Sequence, residues 1–384
     1  MKKLRVAALF AGIGGVELGL SASGHETCFL CEYEPAAQAV LKSHFPDIPL
    51  HPDVRDLRSL PPGTDLLTAG FPCQDLSQAG ETRGIDGARS GLVGEVFRLL
   101  RKEEIPTVLL ENVPFMLQLD QGKAMRIITA ELEKLGYSWA YRVLDSRAFG
   151  LPQRRQRVFL IASKEFDPAG LLFQDDAGMP AEVPHAGVAC GFYWTEGLRG
   201  LGWAVDAVPT LKGGSTIGIP SPPAIWFPDG RIATPDLCDA ERLQGFSSGW
   251  TEPAEKVAKR SHRWKLIGNA VSVNTAAWVG QVIGRTPSPH NFLPLPFDQY
   301  RSWPFAAYGA PDGSRFEAPV SSWPVRMERQ PLAKFLSRKP APLSHRAVSG
   351  FLSRLKRGNL RYPSEFLHAL EKHKSSTAPK VEAA

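Results

Sequence analysis

Along the first 163 residues, short apolar runs alternate with stretches whose apolar positions recur every three or four residues. Leu4–Phe10 reads as a buried strand, and the glycine-rich turn after it opens a helix over Val16–Ser23. Thr27–Tyr33 reads as a second strand, and the helix from Pro35 to His44 places its proline in the first turn. Asp65–Ala69 is a third, short strand, followed by a helix over Gly91–Lys102 and a strand over Thr107–Leu110. Gly122–Leu135 repeats the helical period through Ile127, Ile128, Leu132 and Leu135, and Tyr137–Leu144 and Val158–Ala162 complete the strands. This alternation predicts an α/β fold, an open and mainly parallel sheet with helices on both faces.

The pattern breaks over residues 164–230, where Gly and Pro are frequent and Trp194, Trp203 and Trp226 are interspersed. A small, irregular, β-rich domain is expected there. Helical character returns at Pro235–Leu243 and Val271–Ile283, so 231–285 is expected to rejoin the first domain, its last helix beside the first strand. Residues 286–384 read as a Pro-rich extension with two short helices, Ser344–Lys356 and Pro363–Lys372.

Composition narrows the class. Of 384 residues 43% are hydrophobic and 22% charged, which excludes a mostly disordered chain. No apolar run reaches the roughly 17–25 residues of a membrane span. The N-terminal apolar run meets a glycine loop instead of a cleavage site, so a cytoplasmic protein is expected. The net charge of +6 is uneven: residues 286–384 hold 15 Lys and Arg against 7 Asp and Glu, the remainder 30 against 32. Such an extension suits a polyanionic partner, although a solvated surface has the same composition. Cys28 and Cys31 form a CxxC on a strand, where residues three apart face opposite sides. With no second Cys/His pair they read as structural thiols, and no metal site is expected.

Candidate chemistry gathers at strand ends. Phe10-Ala11-Gly12-Ile13-Gly14-Gly15 permits a sharp turn and close approach of a ligand, a dinucleotide among the alternatives. Glu32 can bind a ribose diol, Tyr33 can stack on a purine, and Asp53 can accept from an adenine amine; each alone also reads as a loop residue. Gly70-Phe71-Pro72-Cys73-Gln74 puts a thiol after the third strand, and Glu111-Asn112-Val113 puts a carboxyl after the next. A thiol nucleophile beside a carboxyl acid/base is a catalytic arrangement, although a lone Cys is commonly a small buried thiol. In Gln153-Arg154-Arg155-Gln156-Arg157, alternation puts Arg155 and Arg157 on one face, to clamp a phosphate, orient a base or meet solvent.

In this order, the motifs resemble the DNA (cytosine-5)-methyltransferase family. The likeness continues through Arg231–Thr234, Glu241-Arg242-Leu243-Gln244-Gly245-Phe246 and Gly268-Asn269-Ala270-Val271, covering about residues 4–285. It implies the S-adenosylmethionine-dependent methyltransferase fold, with 1–163 and 231–285 as the catalytic and cofactor-binding domain and 164–230 as a short target recognition domain. It implies methylation of carbon 5 of cytosine in a specific duplex DNA sequence, through a covalent Cys73 adduct with a flipped-out base. Glu111 would hold the ring nitrogen and exocyclic amine, and Arg155 and Arg157 the base and its flanking phosphate. S-adenosylmethionine would lie against Phe10, Gly12, Ile13, Glu32, Tyr33, Asp53, Val54, Pro72, Leu92, Asn269 and Val271. Tyr33 stands where the family more often has Trp, and Ala270 where it often has Ser.

Ser77, in the loop after Cys73, and Thr210, in the turn Pro209-Thr210-Leu211-Lys212-Gly213-Gly214, would contact DNA. No base-reading residue is assigned in 164–230. The likeness admits a companion restriction endonuclease as a further partner and is compatible with a monomer in the bacterial cytoplasm, associated with the nucleoid. The alternatives are a tRNA cytosine-5 methyltransferase, whose Cys-Phe-Thr insertion is not seen, and a catalytically silent DNA-binding module. Residues 286–384 have no assignable counterpart; their helices are expected to dock on the methyltransferase core and extend its phosphate contacts.

Overall fold

Buried strands near the expected positions form the centre of one large sheet. In the computed structural model the described residues are 3–72, 91–213, 220–290 and 292–379. They form two units: residues 1–149, 156–180 and 270–327 in the first, and 150–155, 181–269 and 328–384 in the second.

Among its described residues the first unit contains β1 (Arg5–Leu9), β2 (Glu26–Cys31), β3 (Leu50–His51), β4 (Leu66–Ala69), β5 (Thr107–Asn112), β6 (Ser138–Asp145) and β8 (Gln156–Ser163). Helices α1 (Gly15–Ala22), α2 (Pro35–His44), α3 (Leu92–Lys102) and α4 (Lys123–Lys134) alternate with the strands. The strand order is β3-β2-β1-β4-β5-β8-β6, extended beyond β6 by β15 (Ala306–Gly309), β16 (Arg315–Glu317) and β14 (Leu295–Pro296). Pairing is parallel from β3 to β5 and antiparallel from β5 to β14, so the sheet is mixed where a mainly parallel one was expected. Apolar periodicity marks a buried strand but carries no information about its direction.

Two apolar layers cover the sheet, one including Val96, Leu100, Ile128 and Leu132 of α3 and α4. The other includes Leu20 of α1 with Ala276, Val279 and Val282 of α8 (Val273–Ile283). That helix returns beside the first strand as expected. His25 fastens it, accepting the Leu4 N–H on Nδ1 (3.2 Å) and facing the Gly280 carbonyl with Nε2 (2.9 Å).

The second unit is built on a sheet ordered β10 (Ala204–Val205), β9 (Cys190–Phe192), β12 (Ala224–Trp226), β13 (Ile232–Thr234) and β17 (Ala341–Pro342). A separate parallel pair joins β7 (Gln153–Arg154) to β11 (Val208–Pro209). Helices α6 (Leu237–Leu243), α7 (Arg263–Asn269), α9 (Leu332–Phe335), α10 (His345–Arg357) and α11 (Ser364–Ser376) complete it. Residues 164–180, including the short α5 (Ala169–Leu172), stay with the first unit because Leu171, Leu172 and Phe173 enter its core. Residues 231–269 stay with the second, where β13 pairs with β12.

Residues 286–384 are not a tail. Trp303 packs on Trp139 and Tyr141 while β15 adds to β6, and Arg315 pairs with Glu133 at 2.7 Å. Further on, Asp206 accepts the Leu332 N–H (2.7 Å), and Asp239 accepts those of Ser337 (2.8 Å) and Arg338 (3.0 Å). These bonds lead into β17 and the helices α10 and α11, which belong to the second unit; docking on the methyltransferase core was the expectation. Among the described residues no helix is long and apolar enough to cross a membrane.

Candidate active site

Strand register lines up the motifs at one edge. His51, Cys31, Leu9, Ala69 and Leu110 are successive partners across β3, β2, β1, β4 and β5. The residues after them therefore share the carboxyl edge of the parallel half, where α/β sheets bind ligands. Neighbouring strands lie about 4.8 Å apart, so the loops after β2 and β5 stand about 14 Å from each other.

The glycine loop turns through positive φ at Phe10 (57°), Gly12 (57°) and Gly14 (86°), the last capping α1. A side-chain residue at φ 57° carries strain that its surroundings must hold, and Phe10 packs on the core. Glu32 ties the loop to β2: one carboxylate oxygen accepts the Gly12 N–H (2.7 Å), the other the Glu34 N–H (2.8 Å). Burial raises its pKa, against the pull of these two N–H groups. A Cβ on Gly12 would meet nothing within 4 Å, so the loop faces open space.

Tyr33 is 69% exposed beside this loop. Two features here escaped the sequence reading. The Arg55 guanidinium lies 5.4 Å from the Tyr33 ring centroid and pairs with Asp53 at 2.5 Å, holding the Asp53 carboxyl below its usual range. Its signal was the Asp-Val-Arg spacing, since the Arg55 N–H also closes a turn on Asp53 (3.0 Å). Glu17, in the first turn of α1, is 1% exposed, and its pKa is pushed up to about 7, chiefly by burial. A charged residue in a helix pattern gave no sign of it. Val54 and Ile13 are buried, Leu92 is half-buried on the core, and Pro72 is exposed. Arg98 on α3 fixes the β3–β4 loop by donating to the Val54 (3.0 Å) and Leu57 (2.8 Å) carbonyls.

At the neighbouring strand ends, Glu111 and Arg157 form an ion pair (3.1 Å) with side chains 12% and 13% exposed. Gly70 lies against this pair: a Cβ there would stand 3.3 Å from Glu111 Oε2. Asn112 Nδ2 donates to the Phe71 carbonyl (2.9 Å), fastening the Gly70–Pro72 loop to the end of β5. The nucleophile candidate Cys73 and the DNA-contact candidate Ser77 lie outside the described residues.

Arg155 was expected to hold the base and its flanking phosphate. Arg155 falls in the second unit, fully buried, and donates to the carbonyls of Leu211 (3.2 Å) and Gly268 (3.1 Å). Arg155 lies between β7 and β8 and in neither strand, so strand alternation does not govern the pair it makes with Arg157 in the sequence. Nearby, Gln153 bonds the Leu243 carbonyl (2.8 Å) and Gln244 (3.1 Å), joining two of the sequence motifs. Thr210 spends its hydroxyl proton on the Arg154 carbonyl (2.9 Å). Asn269 is exposed in the second unit, and Val271 is buried in the first. Burial pushes the Cys31 thiol up to about 12 and the Cys190 thiol to about 11, which suits unreactive thiols.

The family model described as C-5 cytosine-specific DNA methylase matches residues 4–176. The type II methyltransferase M2.BsuMI of Bacillus subtilis (strain 168) is 46% identical over 98% of this chain and 100% of its own length. The chain belongs to the C-5 cytosine-specific DNA methylase family. It is a DNA (cytosine-5-)-methyltransferase. The type II methyltransferase M.MspI of Moraxella sp is 34% identical over 72% of this methylase and 69% of its own length. The solved S. pombe Dnmt2 methyltransferase covers 73% of the methylase and 98% of its own chain at 17% identity, with a TM-score of 0.52. The Entamoeba histolytica methyltransferase EhMeth covers 74% and 98% at 15% identity, with a TM-score of 0.54. At these identities the likeness is one of fold.

Proposed function

We propose that this methylase transfers a methyl group from S-adenosylmethionine to carbon 5 of cytosine in a specific duplex DNA sequence, through a covalent Cys73 adduct with a flipped-out base. The observation that carries the reading is the Glu111–Arg157 pair lying against Gly70, three positions before Cys73. The cofactor fits the other end of the row: a carboxylate fixed on the glycine loop for a ribose diol, an exposed ring for a purine, and open space above Gly12. When bound, S-adenosylmethionine supplies an electrophilic methyl group on a sulfonium.

The chemistry follows from the residues. The Cys73 thiolate adds to carbon 6, and the ring electron pair moves onto carbon 5 as Glu111 supplies a proton to ring nitrogen 3. Arg157 fixes the carboxyl group that does so. After carbon 5 has taken the methyl group, Glu111 takes back the nitrogen 3 proton, and loss of the carbon 5 proton to water re-forms the ring double bond as the Cys73 thiolate leaves. A stacked base is out of reach of such groups, so the cytosine is extruded. A companion endonuclease of the same specificity is a partner we propose from the type II relatives, to be sought among neighbouring genes.

Transfer of tritiated methyl groups to duplex DNA, with tRNA in parallel, tests the substrate. Cys73→Ser should abolish transfer while S-adenosylhomocysteine still binds, because an alcohol is far less acidic than a thiol. Wild type should form a denaturant-resistant adduct on duplexes carrying 5-fluorocytosine, whose fluorine blocks elimination. Turnover by the variant, or no adduct with wild type, refutes the covalent route.

A further inference from the structure

Charge is divided unequally between the two units. The first holds 22 Lys and Arg against 26 Asp and Glu, the second 23 against 13. Residues 328–384 supply 12 of the second unit's cations and only 4 of its acids, so the excess resides in its C-terminal segment.

Packing fixes which way those charges face. Helix α10 buries Val348, Phe351, Leu352 and Leu355, and α11 buries Phe366, Ala369 and Leu370. All join one cluster with Phe192, Ala224 and Ile232 of the sheet. The roll of α10 is thereby set. Arg346 and Arg357, eleven positions apart, fall on its opposite side, about three turns and ~16 Å from each other. Two other cations have partners: Arg354 donates to the carbonyls of Glu196 (2.8 Å) and Trp194 (2.7 Å), and Lys356 pairs with Glu371 (2.6 Å). Arg346, Arg357, Arg361, Lys372 and Lys374 are exposed and form no ion pair among the described residues.

Arg346 and Arg357 share one line of α10 and Arg361 follows in the turn, so these like charges repel one another, while Lys374 lies near Glu371. A polyanion would offset the repulsion. One DNA strand presents a phosphate about every 3.4 Å along the helix axis, so the Arg346–Arg357 line spans about five of them. We propose that the outward face of α10, the turn into α11 and the last turns of α11 bind the phosphate backbone of duplex DNA. This anchors the second unit by charge and leaves the reading of bases to other residues. The proposal rests on duplex DNA being the substrate.

The test combines Arg346→Gln, Arg357→Gln, Arg361→Gln, Lys372→Gln and Lys374→Gln in the full-length protein. These exposed side chains lack ion-pair partners, so thermal melting should match wild type. Affinity for a long mixed-sequence duplex is followed by fluorescence anisotropy from about 50 to 200 mM salt. The variant should bind at least about ten-fold more weakly at the low end, with a log–log salt slope shallower by up to about 4.5. Bisulfite sequencing should find the same methylated sequence for both proteins. Superimposable salt titrations would overturn the proposal, and so would a changed methylated sequence, which would make these residues base readers. Wild-type methyl transfer into the same duplex reports separately on the parent reading; its absence overturns both.

Discussion

Glu17 gives the sharpest test of the environment beneath the glycine loop. Its carboxyl is 1% exposed, and Oε2 has no hydrogen-bond partner among the described residues. Burial, with the Glu32 charge adding to it, raises its pKa from 4.5 to about 7. Helix α8, packed on α1, carries no titratable side chain, and β2 brings only Cys31 and the following Glu32 to this end. The unfolded chain therefore releases the proton near pH 4.5, while the folded chain holds it to about 7. Stability from this group is complete below the lower value and is lost as pH rises through the higher one. At 1.36 kcal/mol per pKa unit, the loss amounts to about 3 kcal/mol. Glu17→Gln keeps the shape and cannot ionise. Relative to wild type, the variant should gain about 3 kcal/mol between pH 4.5 and 8, on top of any constant offset from the amide. Urea unfolding at a series of pH values measures it, with Trp278 of α8 reporting the first unit. Adding Glu32→Gln should move the Glu17 transition to lower pH. Parallel wild-type and Glu17→Gln curves across that range would refute the reasoning, since Glu17 would then be ionised or neutral alike in both states.

Glu32→Ala should weaken S-adenosylhomocysteine binding by about 1.5–3 kcal/mol, roughly ten-fold or more, because it removes a charged acceptor and releases the Gly12 and Glu34 N–H groups. An unchanged dissociation constant by calorimetry would sink the assignment. Glu111→Gln should slow turnover by about 10²–10⁴ while leaving that affinity intact, which single-turnover kinetics beside calorimetry will separate. Arg155→Ala should destabilise the second unit by at least about 2 kcal/mol, as the buried Leu211 and Gly268 carbonyls lose donors. A variant that melts like wild type but fails in turnover would restore Arg155 to the chemistry.

The sequence alone determined the longer strands and helices of the parallel half and the motifs at their ends, but not the two-residue β3. Strand and helix periods are local properties, and the start of the helix Pro35–His44 was marked by its proline. A loop after a parallel strand must lie at the carboxyl edge, which places Glu32 and Glu111, whereas Asp53 follows β3, a strand too short to show a period. What tertiary structure decided depends on partners far away in the chain. Strand direction beyond β5, the capture of residues 295–317 by β6 and of Ala341–Pro342 by β13 follow from pairings that no local period encodes. The same holds for single side chains. Arg155 and Arg157 are two positions apart and equally basic, yet one is locked on backbone carbonyls and the other meets a carboxylate. Glu17 looks like any polar helix residue until packing removes the water around it. Burial and pairing are set by what arrives from elsewhere in the chain, and there the period of the sequence falls silent.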